Sequence, residues 1–279
     1  MKKRRFIILG VILLIICFVS AGTLVWYLCD GRYIKFADEV IRTSALYAVN
    51  KDPNGNGKIL KTQIEEIESF RIRNGSLRGV KTLEDLTKFP NLVVTGTWLN
   101  EYYDAGSEKE EVDSLYPELT DEVYKRYTEQ LYKVLPKLDQ LKKVVLCSFT
   151  IMYDMDAFSK SDQVEEVWIV RNRIKDISGI AGMKNLRILD LSYNEFTDIS
   201  ALSGLDNLEA LSLWGNDIEN LEVLLDIPTL KAVIYDPKDE KQEAVLQQLS
   251  ERGCCVVREE RELPYVLRDI GIEHVKVYL

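Results

Sequence analysis

The chain has one histidine in 279 residues. Histidine is the side chain whose ordinary pKa suits proton transfer near neutral pH. This one, His274, stands close to the C-terminus and reads as a surface residue rather than a base. Five cysteines are present, and they do not make a disulfide framework. Cys17 and Cys29 fall in or beside an apolar N-terminal run. Cys254 and Cys255 are neighbours on an expected strand and so point to opposite faces. No C-x-x-C pair offers zinc ligands. The nucleophile elbow, the P-loop, the dinucleotide fingerprint and H-E-x-x-H are all missing. With no constellation of nucleophile, base and acid, the sequence reads as a non-enzyme. Basic charge is also short: 36 Lys and Arg stand against 45 Asp and Glu, for a net charge of −9. Lys2, Lys3, Arg4 and Arg5 add four positive charges and residues 6–28 add none, so the remainder is more acidic still. That balance excludes non-specific nucleic-acid binding and a basic membrane-surface patch.

What the chain has instead is a period. From Val164 it falls into rows of 22, beginning at Val164, Leu186 and Leu208, with Leu230 opening a fourth. Val167, Leu189 and Leu211 share a column, as do Ile169, Leu191 and Leu213. Further apolar columns run through Ile174, Phe196 and Ile218, and through Ile180, Leu202 and Leu224. One polar column is as strict: Asn172, Asn194, Asn216. Within a row, Leu186-Arg-Ile-Leu189-Asp-Leu191 alternates as a strand does, with Leu189 and Leu191 on one side and Ile188, Asp190 and Ser192 on the other. The Asn follows where the chain turns, and its amide can serve backbone groups the turn leaves unpaired. The returning half places apolar residues at every third position, close to a 3₁₀ segment. One row cannot bury its apolar side chains alone, so rows must stack.

A period in this range with L-x-x-L-x-L-x-x-N is the leucine-rich-repeat pattern. The rows resemble the short bacterial repeats of the internalin type, on Asp176-Ile177-Ser178, Asp198-Ile199-Ser200 and Gly204-Leu205-Asp206-Asn207-Leu208. The expected fold class is α/β: a leucine-rich-repeat solenoid with short parallel strands on the concave face and an irregular, 3₁₀ and helical convex side, preceded by a transmembrane helix.

That helix is read from Phe6 to Leu28, which carries no charge and exceeds the roughly 20 residues a bilayer span needs. A cleaved signal peptide, with Ser20-Ala21-Gly22 as its site, is the rival, but the apolar run continues past it. Trp26 and Tyr27 suit the far interface, and the basic cluster sets the N-terminus in the cytoplasm and the body outside.

Asp52-Pro-Asn54-Gly-Asn56-Gly57-Lys58-Ile59 resembles an EF-hand loop. The resemblance implies Asp52, Asn54 and Asn56 as side-chain ligands and Lys58 through its carbonyl. The closing position is Gln63 rather than the bidentate Glu, and Asp52 alone brings negative charge. Calcium binding is therefore expected to be weak or vestigial, and the competing reading is an Asn/Gly turn before a helix near Thr62. No other cofactor is expected. An EF-hand-like segment leading into the first repeat resembles secreted bacterial leucine-rich-repeat proteins.

Five segments follow. Residues 1–29 are the basic tip and anchor, and 30–66 a stalk or cap with the EF-hand-like loop. Residues 67–140 hold degenerate repeats (Phe70, Ile72, Leu77, Val80, Leu83, Leu86), an acidic insertion and a helix stopped by Pro136. Residues 141–237 are the regular repeats. Residues 238–279 are a C-terminal cap, with a helix stopped at Gly253, a strand at Cys254 to Val257, and a tail read as an edge strand or small appendage.

The implied function is binding of a protein or peptide, or alternatively a glycan, through the concave face. The alternatives are a structural spacer of an envelope assembly and a calcium-responsive sensor. The strand parity points Glu166, Trp168, Arg171, Asp190, Tyr193 and Trp214 outward as partner-binding residues, since Trp, Tyr and Arg dominate interface hot spots. The competing reading covers the same side chains in cis, by the middle segment or the C-terminal tail.

Overall fold

Alternation inside each 22-residue row becomes strand, and the row spacing becomes sheet register. The structure is a computed structural model and describes residues 32–49, 57–98, 121–146, 154–261 and 263–273. The anchor and its flanking basic residues lie outside the described residues. No helix of the described residues is long and apolar enough to cross a membrane.

The chain enters through helix α1 (Glu39–Ala48) and a single helical turn, α2 (Lys61–Ile64). Strands β1 (Ser69–Arg73) and β2 (Val94–Trp98) follow, then helix α3 (Asp121–Val134). The regular part holds β3 (Lys143–Leu146), β4 (Glu166–Trp168), β5 (Ile188–Asp190), β6 (Ala210–Ser212) and β7 (Ala232–Ile234). Helix α4 (Glu240–Glu251), strand β8 (Cys255–Val257) and helix α5 (Leu263–Asp269) close it. The eight strands form one parallel sheet in chain order, β1 to β8. Val144, Val167, Leu189, Leu211 and Val233 are in register across it, one apolar column seen end to end.

The returning halves are 3₁₀ turns at Ser178–Gly182, Ser200–Gly204 and Glu222–Asp226. Each is opened by a short polar side chain two residues before its first free N–H. Asp176 Oδ1 accepts from Ser178 N at 2.7 Å, Asp198 Oδ1 from Ser200 N at 2.8 Å, and Asn220 Oδ1 from Glu222 N at 3.0 Å. These turns compete well with longer helix, because the Asp or Asn satisfies the orphan donor at once. A hydrophobic core runs continuously from Ile41 to Cys254 between sheet and turns. At roughly 1.5–3 kcal/mol per buried large apolar side chain, that stack outweighs any single polar contact in the molecule.

The Asn column is the backbone's accountant at the turns. Asn194 Nδ2 donates to the carbonyls of Ile169 at 2.8 Å and Leu191 at 2.9 Å, and its Oδ1 accepts from Ile174 N at 3.3 Å. Asn216 Oδ1 in turn accepts from Asn194 N at 3.0 Å. A second polar column, unread in the sequence, ties rows before the strands. Asn185 Nδ2 donates to the Asp162 carbonyl at 2.8 Å and Asn207 Nδ2 to the Lys184 carbonyl at 2.7 Å.

Both ends are closed. At the first, Asp38 caps α1 through Val40 N and Ile41 N, and its other oxygen accepts from Lys81 N and Thr82 N, so the cap is stitched to the first repeat. At the other, Gly253 takes φ +92°, with Cys254 N donating to the Leu249 carbonyl and Gly253 N to the Ser250 carbonyl. This is the paired-bond stop that a left-handed glycine makes possible. Cys254 joins the core and Cys255 the opposite face, as alternation requires.

The described part of the tail is a helix packed on the sheet. Leu263, Val266 and Leu267 have helical spacing, and the turn stops at Gly271, φ +71°, with Ile272 N donating to the Leu267 carbonyl. The apolar alternation of residues 275–279 suggested a strand. Those residues lie outside the described residues, and the segment before them obeys the helical period.

Candidate ligand-binding face

The residues picked from strand parity do point away from the core. Their exposure is another matter. Ile188, Ala210, Ala232 and Ile234 on the sheet's outer face are fully buried, and they form a second cluster with Val145 and Trp168 and with Leu263, Val266, Leu267 and Ile272 of the tail. Helix α5 lies over β6 and β7. Trp168 is only 7% exposed, Glu166 1% and Asp190 6%. Expected on an open face, these three are buried instead, and over β6 and β7 the face is covered by α5.

Each buried polar group among them has a partner. Glu166 pairs with Lys143 at 3.0 Å and accepts from Trp168 Nε1 at 3.4 Å. The Lys143 ammonium stands 4.2 Å from the centre of the Trp168 ring. Asp190 Oδ1 accepts from Ser192 N at 3.0 Å and Ser192 Oγ at 2.6 Å, and Ser192 Oγ lies 2.6 Å from Ser212 Oγ. A buried ion pair is costly to break from one side, since the other charge is then left dry. These groups fix the sheet.

Arg171, Tyr193 and Trp214 are half-buried and lie just past the strand ends. Arg171 and Tyr193 have φ of 57° and 56°, and Gly215, at the same row position, 70°. Left-handed backbone suits glycine and costs other residues on the order of 1 kcal/mol. The turn therefore carries two large side chains where it would prefer none. The Arg171 guanidinium sits 4.1 Å over the Tyr193 ring. The ring lies against Gly215, where an added Cβ would come within 2.5 Å of its Cδ1. The Tyr193 hydroxyl donates to Glu260. Burial, then that carboxylate, raises the Tyr193 pKa above its ordinary value. Beside this stack, a cleft of about 600 Å³ opens between Glu195, Trp214, Asp217, Asp236 and Lys238.

The opposite edge of the sheet carries an alternating charge column: Lys142, Glu165, Arg187, Glu209, Lys231. Lys142 pairs with Glu165 at 2.8 Å, and Glu209 with Arg187 and Lys231 at 3.0 Å each. Burial works to raise the Glu209 carboxyl, but the two cations outweigh it and hold it below the ordinary range. Charges spent on each other in this way offer little to a ligand.

Of the EF-hand-like set, Asp52, Asn54 and Asn56 lie outside the described residues. Lys58 extends its ammonium 5.1 Å from the Tyr33 ring centre. Gln63 Oε1 accepts from Leu60 N at 2.9 Å, closing the first turn of α2. Among the described residues no group of three His, Cys, Asp or Glu could hold a metal.

A one-sheet parallel solenoid with an Asn ladder is a leucine-rich-repeat fold, and the leucine rich repeat family model matches residues 162–218. Among solved structures, the chain resembles internalin C2 of Listeria monocytogenes, at 20% identity over 75% of this chain and 80% of that one, with a TM-score of 0.52. A second internalin of that bacterium, inlF, is 13% identical over 76% of this chain and 61% of its own, with a TM-score of 0.48. No curated protein matches. Residues 162–218 carry leucine-rich repeats, and the fold is internalin-like. The fold is one that typically serves protein–protein interaction.

Proposed function

We propose that the chain is a membrane-anchored, extracytoplasmic leucine-rich-repeat protein that binds a protein partner, with no catalytic role. The observation that carries the binding reading is the Arg171–Tyr193 stack. Two side chains typical of hot spots are held half-exposed on left-handed backbone, at a local cost, beside Trp214 and an open cleft. The anchor rests on the charge-free run Phe6 to Leu28 behind four basic residues, which sets the body outside. Protease added to sealed spheroplasts should then digest the body, and full protection would refute this topology.

The partner is tested by capture from the native envelope with the full chain in detergent. Arg171→Gly with Tyr193→Gly removes both side chains at positions where the backbone favours glycine, so the fold should hold. Capture should fall about tenfold or more, the loss of roughly 1.4 kcal/mol. Unchanged capture would move the site elsewhere. A structural spacer is the second reading, favoured by one observation: the tail already buries much of the outer sheet face. A spacer would show no partner whose capture depends on Arg171 and Tyr193. A glycan ligand would draw on the same stack and cleft, and it would survive protease treatment of the envelope extract.

A further inference from the structure

The outer face is shaped where α5 lies on it. Along one register line the residues are Ile188, Ala210, Ala232 and Cys255. The two alanines are adjacent across β6 and β7, the strands that α5 covers, so the sheet is hollowed under the helix. Ile188 and Ile234 rise beside the hollow, and Trp168, Trp214 and Val257 border the cluster. Into this hollow α5 sends Leu263, Val266 and Leu267, at helical spacing of three and four, with Ile272 after the turn. Tyr265 and Arg268 face solvent.

Among the described residues, the tail's polar side-chain ties to the body come before the helix. Arg258 pairs with Glu243 of α4 at 2.9 Å, and Glu260 accepts from Tyr193. Arg261 and Arg268 pair instead with Asp269, inside the tail. A seven-residue helix does not hold itself together in water. It exists here because its apolar stripe is seated, and no strand pairing ties it to the sheet, whose eight strands are already ordered without it.

We infer that the outer face over β5 to β8 is a seat for a short amphipathic helix, that α5 fills this seat in cis, and that the protein partner carries a helix of the same spacing which takes the seat as α5 leaves. The inference rests on the binding reading above and names the kind of partner. It also joins the two halves of the site. Glu260 bonds Tyr193, so a partner engaging the Arg171–Tyr193 stack competes for the hydroxyl that holds the root of the tail. A seat closed by its own segment binds in proportion to the fraction of time it is open.

The probe is a labelled synthetic peptide of residues 259–273, titrated against the full chain. Leu267→Glu unseats α5 and leaves every seat residue intact. The peptide should bind this variant at least about tenfold tighter than the wild type, because resident competition is removed. Adding Ala232→Leu, which fills the hollow, should abolish that gain. Equal affinity for wild type and Leu267→Glu, or binding to neither, would overturn the inference. The wild type supplies a check that needs no variant to fold. Hydrogen exchange should show α5 amides opening well before those of β5 to β7, as a separately releasable unit does. If α5 is protected as strongly as those strands, the seat is permanent and the inference fails. Envelope capture that depends on Arg171 and Tyr193 yet is unchanged by Leu267→Glu would refute the exchange while leaving the binding function standing.

Discussion

Asn194→Ala should be among the most damaging single changes in the solenoid, although it removes only a carboxamide. The side chain serves four backbone groups: the carbonyls of Ile169, Leu191 and Ser192 and the N–H of Ile174. The Leu191 carbonyl keeps a second donor, Asn216 Nδ2 at 2.9 Å, and the Ser192 carbonyl keeps Arg171 N at 2.9 Å, so neither is orphaned. Ile174 N and the Ile169 carbonyl lose the Asn194 bond, and both residues are fully buried. An unsatisfied buried group costs about 1–3 kcal/mol, so the loss of two comes to about 2–6 kcal/mol. Asn194→Asp should be worse at neutral pH, because it aims a carboxylate at three carbonyl oxygens. Its penalty should shrink as pH falls and the carboxyl regains a proton to donate. That carboxyl's folded-state pKa would be raised, so stability is recovered below it and lost above it. Urea unfolding followed by far-UV circular dichroism measures both variants, with the midpoint read against an unchanged slope. A cost under about 0.5 kcal/mol for Asn194→Ala, the range of an ordinary surface substitution, would refute the idea that the ladder carries the turns.

Three further outcomes are expected. Gly215→Ala, at φ +70° with Tyr193 Cδ1 at 2.5 Å from the new Cβ, should cost more stability than Gly253→Ala, at φ +92° with open space around it, by about 1 kcal/mol in paired thermal melts. Burial pushes the Cys254 thiol up to about 11, so at pH 8 a maleimide should label half-buried Cys255 first, and Cys254 only as the protein unfolds; equal labelling in the native state would contradict the packing. Submillimolar calcium should leave the melting temperature where it is, since Gln63 Oε1 is engaged by Leu60 N, whereas binding to the folded state would raise it.

Much of this protein is a consequence of spacing. A repeat of 22 with strand alternation inside it dictates one parallel sheet, because each row's apolar side chains find partners only in the next row. The Asn column, the 3₁₀ returns, the Gly253 stop and the split of Cys254 from Cys255 follow from the same local rules, and all were legible residue by residue. So was the side of the sheet on which Trp168, Asp190 and Trp214 stand, since parity is a property of the strand alone. Parity says nothing about what lies over that side. Whether Ala210 and Ala232 face water or protein depends on a segment some thirty residues or more later, and the apolar stripe Leu263, Val266, Leu267 is too short to announce its destination. The left-handed stack of Arg171 on Tyr193 on Gly215 was hidden for a similar reason: three unlike residues share one row position, so no column drew the eye. Local periodicity decided the scaffold, because backbone pairing and burial repeat with the sequence. Only the tertiary structure decided which part of the binding face is open, because two alanines on neighbouring strands leave a hollow that the tail fills.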